Sequence, residues 1–293
     1  MFSTAVILSA LELGFIYALV ALALFVSFRV LNIADMTTDG SFTLGCAVSA
    51  TVAVAGHPIL ALPAAMLAGA AAGSITALLQ TRLKIPSILA GIITNTGLYT
   101  VNLAVMGFSS NVTMLKTETI FTMLKPLLGT FHKLIPALLL ALLAAAALVL
   151  FLKTRLGLSI RATGDNPDMV RASSINTGFT ITVGLCISNA LTALSGAVIA
   201  QYQRTADISL GTGMVIIGLA SLIIGETILG KGGLWKKALG VLLGSVLYRF
   251  IMAIALRLDL PSECLKLISA VIVALAIGLP AVRAAGKTAK GGK

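Results

Sequence analysis

Charge is scarce in this sequence. Only 11% of its 293 residues are Asp, Glu, Lys or Arg, against about a quarter in an ordinary soluble domain. Hydrophobic residues make up 58%, and mean hydropathy is +1.05, which excludes a water-soluble fold. Histidine and cysteine are nearly missing. His57, His132, Cys46, Cys186 and Cys264 are widely separated, with no metal-ligand spacing among them. The cysteines read as small core hydrophobes, and no metal or cofactor is expected. A membrane-embedded enzyme would need His, Cys, Asp or Ser gathered near a membrane face, and no such gathering is present. Acidic residues are outnumbered, 10 against 21 Lys and Arg, for a net charge of +11. The basic residues sit between apolar runs, the positive-inside pattern of membrane loops, and not in a nucleic-acid-binding patch.

Nucleotide binding fails on detail. Gly225 to Lys231 reads GETILGK, but Gly232 stands where a Ser or Thr should hold magnesium. In the later GKT, Gly286 to Thr288, Ala281 replaces the first glycine. Energy for any active process must come from another chain.

A spanning helix needs about 20 mostly apolar residues. Such segments run from Thr4 to Phe28, Ser41 to Ala55, Ile59 to Leu79, Ser87 to Gly107, Leu134 to Leu152, Phe179 to Gln201, Gly213 to Leu229, Ala238 to Leu256 and Cys264 to Ala281. The expected fold is an all-α integral membrane protein, a polytopic bundle of about eight to ten transmembrane helices. One membrane-embedded domain covers residues 1–283, and a basic cytoplasmic tail follows over 284–293. The first apolar run has no basic flank and is too long for a signal peptide.

Four basic groups fall on one side if every span crosses: Arg82 with Lys84; Lys153, Arg155, Arg161 and Arg171; Lys231, Lys236 and Lys237; and the tail. That side is the cytoplasm, so the C-terminus is expected to be cytoplasmic. Phe108 to Lys133 then lies outside despite carrying Lys116, Lys125 and Lys133.

Polar groups break the apolar pattern near residues 29–45, where Asn32, Asp35, Thr37, Thr38 and Asp39 separate two apolar runs. A cytoplasmic loop should be basic, so this stretch reads as a broken helix lining a cavity or as an ordinary capped helix start. Asn95, Asn102 and Asn189 add polar groups within spans, and Glu12 lies in the first. The candidate substrate pathway is Asn32, Asp35, Thr37, Thr38, Asp39, Asn95 and Asn189. Glu226 is near Lys231 and a cytoplasmic end, which suggests snorkelling. A weak echo of Ala34 to Thr37 recurs at Ala206 to Ser209, entering from the opposite face. Gly69 with Gly73 and Gly240 with Gly244 allow close helix packing, within the subunit or between subunits.

The loop over 153–177 differs in kind: it is long, charged, and contains GDNPDMVRASSI. Asn166 before Pro167 signals a helix start, predicting a surface helix from Pro167 to Ser174.

VLNIADMTTDGSFTLG, GLSIRATGDNPDMVRASSIN and GMVIIGLASLIIGETILGKGG, in that order, resemble ABC-importer permeases of the branched-chain amino acid type. They resemble in particular a single-permease branch associated with aromatic and other amino acids. The resemblance implies a permease in the bacterial cytoplasmic membrane, working by alternating access. Its implied partners are two ABC ATPase subunits, an extracytoplasmic substrate-binding protein and a second permease, favoured as an identical copy. It also implies that Arg161, Gly164, Asp165, Asn166, Pro167 and Arg171 form a coupling helix docking on the ATPase. Where that family commonly has Asn-Phe-Ala-His-Gly, this chain has Asn32-Ile33-Ala34-Asp35-Met36. Tryptophan or tyrosine is the implied substrate. An ion-coupled secondary transporter, with Asp35, Asp39 and Glu226 relaying protons, is the alternative.

Overall fold

The computed structural model describes residues 4–230 and 232–257, with Leu267 and Val271 besides. In lipid, backbone groups must be satisfied within the chain, which leaves the helix as the economical solution for apolar runs. Among the described residues 6 helices are long and apolar enough to cross a membrane: Thr4–Val30, Ala61–Thr81, Ser87–Val105, Leu134–Lys153, Thr177–Gln203 and Leu234–Ala255.

In chain order, α1 (Thr4–Leu24) runs into a π-helical turn, Phe25–Val30. Then come α2 (Thr38–Val54), α3 (Ala61–Thr81) and α4 (Ser87–Val105). A compact excursion holds β1 (Asn111–Thr113), α5 (Ile120–Met123) and α6 (Lys125–Leu128). Next are α7 (Leu134–Lys153), α8 (Arg155–Asp165), α9 (Pro167–Ala172) and α10 (Thr177–Gln203). Last are β2 (Thr205–Asp207), α11 (Met214–Leu229) and α12 (Leu234–Arg257). Eight of the nine expected spans are thus occupied by helices; of the ninth, Cys264 to Ala281, all but Leu267 and Val271 falls outside the described residues.

At 1.5 Å per residue, α2 and α11 reach only about 24–26 Å, short of a hydrocarbon core of about 30 Å. Irregular chain precedes each. Helix α10 is the most deeply buried and packs against α1, α2 and α3. It meets α2 at reciprocal glycines: a Cβ on Gly45 would collide with the Ala193 backbone, and one on Gly196 with the Phe42 carbonyl. Gly69 and Gly73 face α10, while Gly240 and Gly244 face α11, so both glycine pairs pack helices of one subunit.

The ends of the bundle sort the loops. At one end Gly178 lies beside Thr81, Lys153 sits 5.8 Å from the Trp235 ring centroid, and α8 packs on Val30 and Leu31. The basic clusters at Arg82, Lys153 to Arg171 and Lys236 therefore share one end. At the other end, β1 pairs antiparallel with β2, and Gln201 donates to the Pro58 carbonyl at 2.9 Å. The small sheet had no signal in the hydropathy pattern, because its strands are only 3 residues each.

Candidate translocation and coupling sites

The first break begins where the π turn ends. Leu31 and Ile33 N–H groups donate back to Val26 and Ser27 carbonyls at 2.9 and 2.8 Å. Asn32 then takes a left-handed φ of 56°, which asparagine tolerates better than most residues. Beyond it, Asp35, Thr37 and Thr38 are fully buried. Asp35 Oδ1 accepts from the Thr37 N–H at 2.9 Å, and Oδ2 from Asn189 Nδ2 at 2.7 Å. Asn189 Oδ1 in turn accepts from the Ser41 hydroxyl at 2.6 Å, and the Thr37 and Thr76 hydroxyls meet at 2.7 Å. A polar network thus joins the break to α2, α3 and α10. Buried polar groups need such pairing, since each one unsatisfied is costly.

Asp39 reaches further. Its carboxylate accepts from Gly213 N at 2.9 Å and Val215 N at 3.0 Å, capping the N-terminus of α11, where a negative charge also meets the positive end of the helix dipole. The first break therefore holds the second. Asn32 and Asn95 stand outside this network: Asn32 is exposed, and Asn95 is half-buried on α4 with its carboxamide oxygen against Gly40.

The weak repeat has a structural counterpart. Asp207 Oδ1 accepts from Ser209 N at 2.8 Å, as Asp35 Oδ1 does from Thr37 N at 2.9 Å. Both Ala-Asp stretches form the same aspartate-closed turn, one approached from each end of the bundle, as an inverted repeat requires.

The charged segment over 153–177 is almost wholly helical. Helix α8, absent from the sequence reading, is capped by Thr154, whose Oγ1 accepts from Gly157 N at 3.2 Å. Asn166 caps α9 by accepting from Asp168 N and Met169 N, each at 3.1 Å, with Pro167 in the first turn. The helix ends at Ala172, two residues before the expected limit. Asp165, Asn166, Pro167 and Arg171 are exposed, while Arg161 and Gly164 are half-buried toward the bundle. Gly164 lies so close to the Val30 carbonyl that any Cβ would collide, and the Thr163 and Thr180 hydroxyls meet at 2.8 Å. Arg171 Nε donates to Thr177 Oγ1 at 3.1 Å, tying α9 to the start of α10.

Glu226 lies near Lys231 in sequence, though Lys231 is outside the described residues. It pairs with Arg29, whose Nε donates to Glu226 Oε2 at 2.9 Å and whose second guanidinium nitrogen also contacts that oxygen. Sequence reading missed this partner, 197 residues away. It also missed Arg249, a lone cation inside the apolar run of α12, where any ionisable residue is a signal. The Arg249 guanidinium carbon lies 3.7 Å from the Tyr17 ring centroid.

Comparison with known proteins follows this geometry. Residues 6–279 match the family model for branched-chain amino acid transport system permease components. A tyrosine transport system permease protein of Clostridioides difficile is 34% identical over 91% of this chain and 88% of its own length. An uncharacterised protein of Rickettsia prowazekii is 31% identical over 93% and 96%. The ribose import permease of Escherichia coli K12 is 26% identical over 83% and 75%. Among solved structures, an inward-facing ABC transporter described as of metal-chelate type superposes with a TM-score of 0.50 at 17% identity, covering 94% of this chain and 86% of that one. At that identity the likeness concerns the fold alone.

Proposed function

The chain belongs to the family of branched-chain amino acid transport permeases, as the non-catalytic membrane subunit of an ABC importer, and from that premise we propose that it moves an aromatic amino acid inward by alternating access. Membership sets aside the ion-coupled carrier. Tyrosine is the first candidate solute, on the name of the Clostridioides difficile relative. The transporter is proposed to comprise two copies of this chain, two ATPases and an extracytoplasmic binding protein. Its proposed place is the bacterial cytoplasmic membrane, with α8, α9 and the C-terminus on the inner side.

The observation that carries the mechanism is the seating of Gly164 on the Val30 carbonyl. In this reading the exposed elbow Asp165 to Arg171 docks on the ATPase. Its displacement passes through α8 to the base of the first break, then along two tethers to α11: Arg29 with Glu226 at one end, Asp39 with Gly213 at the other. Asp35, Thr37, Thr38 and Asn189 hold the wall of the pathway, and Asn32 and Asn95, not engaged in that network, are its solute-facing members.

The test is ATP-dependent uptake of radiolabelled tyrosine by vesicles containing the whole transporter. Substituting Asp165 and Arg171 is expected to remove the ATPase during purification and to abolish uptake. Retention of both would refute the coupling role. An impermeant thiol reagent should label Asp168→Cys only from the inner face; labelling from outside would overturn the orientation.

A further inference from the structure

The excursion between α4 and α7 keeps apolar side chains in the open. Residues 120–131 read IFTMLKPLLGTF, with Lys125 as the one charge. Helical bonding runs through α5 and α6, the Leu124 N–H donating to Ile120 at 3.2 Å and the Leu128 N–H to Leu124 at 3.0 Å. Met123 and Leu127, four residues apart, therefore share a face, and Leu127 is 79% exposed. Phe131, beyond the positive φ of Gly129, is exposed as well. Phe108 and Leu115, on either side of β1, add two more exposed apolar side chains at this end.

The segment does not stand off from the bundle. Ile120 and Phe121 line one crevice with Leu62 of α3, Leu140 of α7 and Val198 of α10, and the buried Phe121 ring meets that of Tyr202 edge-on at 5.9 Å. Leu140 lies about 9 Å along α7 from its first residue, and Val198 about 8 Å from the last residue of α10. Gln201 fixes the start of the stretch, its Oε1 accepting from the Ile120 N–H at 3.0 Å. The helical stretch is thus wedged among the apolar ends of three spans, level with them and not above them.

We propose that residues 120–131 are an interfacial anchor, lying in the membrane surface at the β1–β2 end with Met123, Leu127 and Phe131 in the upper acyl region and Lys125 on an anionic phospholipid headgroup. Segments of this kind bury an apolar face about 5–10 Å into the headgroup boundary and gain from attraction to anionic lipid. Water is the worse neighbour for apolar side chains of this size. Lys133 already has a partner, 4.4 Å from the Tyr202 ring centroid, whereas Lys125 is exposed. If this end is external, lysine here runs against the positive-inside bias, and an anionic headgroup gives it a counter-charge. A soluble acidic partner would match Lys125 but not three bare apolar side chains set level with span ends. The anchor also steadies the approach to the second break, because Gln201 and Tyr202, which hold it, lead directly into Arg204 and β2.

The test is tryptophan fluorescence of the full-length chain in lipid nanodiscs, whose two faces carry the same lipid, so that the outcome does not depend on which end faces the cytoplasm. Trp235, the one native tryptophan, is replaced by Phe, and Leu127→Trp or Phe131→Trp supplies the reporter. Leu143→Trp, exposed in the middle of α7, gives the mid-membrane reference. Lipids brominated near the top or near the end of the acyl chain are the quenchers. Both reporters should emit at short wavelength and lose more intensity to the shallow bromines, and Leu143→Trp more to the deep ones. Long-wavelength emission without quenching would overturn the anchor and leave the face to a soluble partner. Short-wavelength emission without quenching would overturn it too, because protein, a second copy of the chain, then covers the face. In an equal mixture of phosphatidylglycerol and phosphatidylcholine, bromines carried on the glycerol lipid should quench Leu127→Trp more than the same bromines on the choline lipid, and Lys125→Gln should remove the excess. No excess with Lys125 in place would overturn the pairing with anionic lipid.

Discussion

Asp35 and Asn189 meet at 2.7 Å in the buried middle of the bundle, 154 residues apart in sequence. The contact ties the first break to the central helix, and it is one link of a chain that continues to Ser41. Replacing Asn189 with Leu strands Asp35 Oδ2 and the Ser41 hydroxyl together. The expected loss is about 2–4 kcal/mol, from an uncompensated buried carboxylate and a lost hydroxyl bond. Thermal unfolding of the purified chain in detergent measures it. Asn189→Asp, which sets two carboxylates face to face, should be no better, and a variant as stable as wild type would show the network to be idle.

Asp39 tests the tether between the two halves. Its carboxylate is the N-cap of a helix to which it does not belong. Asp39→Ala is expected to destabilise by about 1–2 kcal/mol, the range of a lost cap with its dipole contribution. Asp39→Asn keeps the hydrogen-bond acceptor and should lose less. Uptake per ATP hydrolysed is the sharper readout, because in the proposed mechanism a loosened α11 no longer follows the Asp165 to Arg171 elbow. Normal coupling in Asp39→Ala would remove the tether from the mechanism.

Much of this was legible beforehand, and the reasons differ by element. Spans were readable because lipid forces apolar runs into helices. Asn166-Pro167 announced α9 because its capping chemistry is local, contained within four residues. The aspartate-closed turn at Asp35 is local too, and so is its echo at Asp207. Partnerships across the fold were not readable. Nothing near Glu226 in sequence points to Arg29, and nothing near Asp39 points to Gly213, since such pairs are set by which helices pack together. Helix α8 was missed for a different reason: its amphipathic pattern is short and lies inside a charged segment that resembles a loop.

Glycine at helix crossings separates packing from propensity. Gly45 in α2 faces the Ala193 backbone so closely that a Cβ has no room, and the obstacle is main chain, which cannot swing aside. Gly45→Ala must push α2 and α10 apart, at an expected cost of about 1–3 kcal/mol or more. Gly97 in α4 is open by contrast: beyond its own helix backbone, no heavy atom of the described residues comes within 4 Å of where a Cβ would stand. There alanine removes the entropic penalty of glycine and should stabilise by up to about 1 kcal/mol. Melting temperatures of the two variants in the same detergent should move in opposite directions. Equal behaviour would mean that the α2 and α10 contact is looser than described.

Asn166 provides the most specific test of the proposed coupling elbow. Helix α9 has only 6 residues, far below the length at which a helix holds itself together in water. It persists through three local supports: the Asn166 cap, the preset φ of Pro167, and the anchoring of Val170 and Arg171 to the bundle. Removing the cap with Asn166→Ala costs about 1 kcal/mol, a large share of what so short an element has. Because Asn166 is exposed and its side chain bonds its own turn, global melting should barely change. ATPase retained during purification should nevertheless fall by roughly fivefold, the population ratio equivalent to that energy. Asn166→Ser, which restores a capping hydroxyl, should recover most of the retention. Equal ATPase retention in all three proteins would show that the order of α9 is irrelevant to docking, and the elbow would then have to bind through α8 alone.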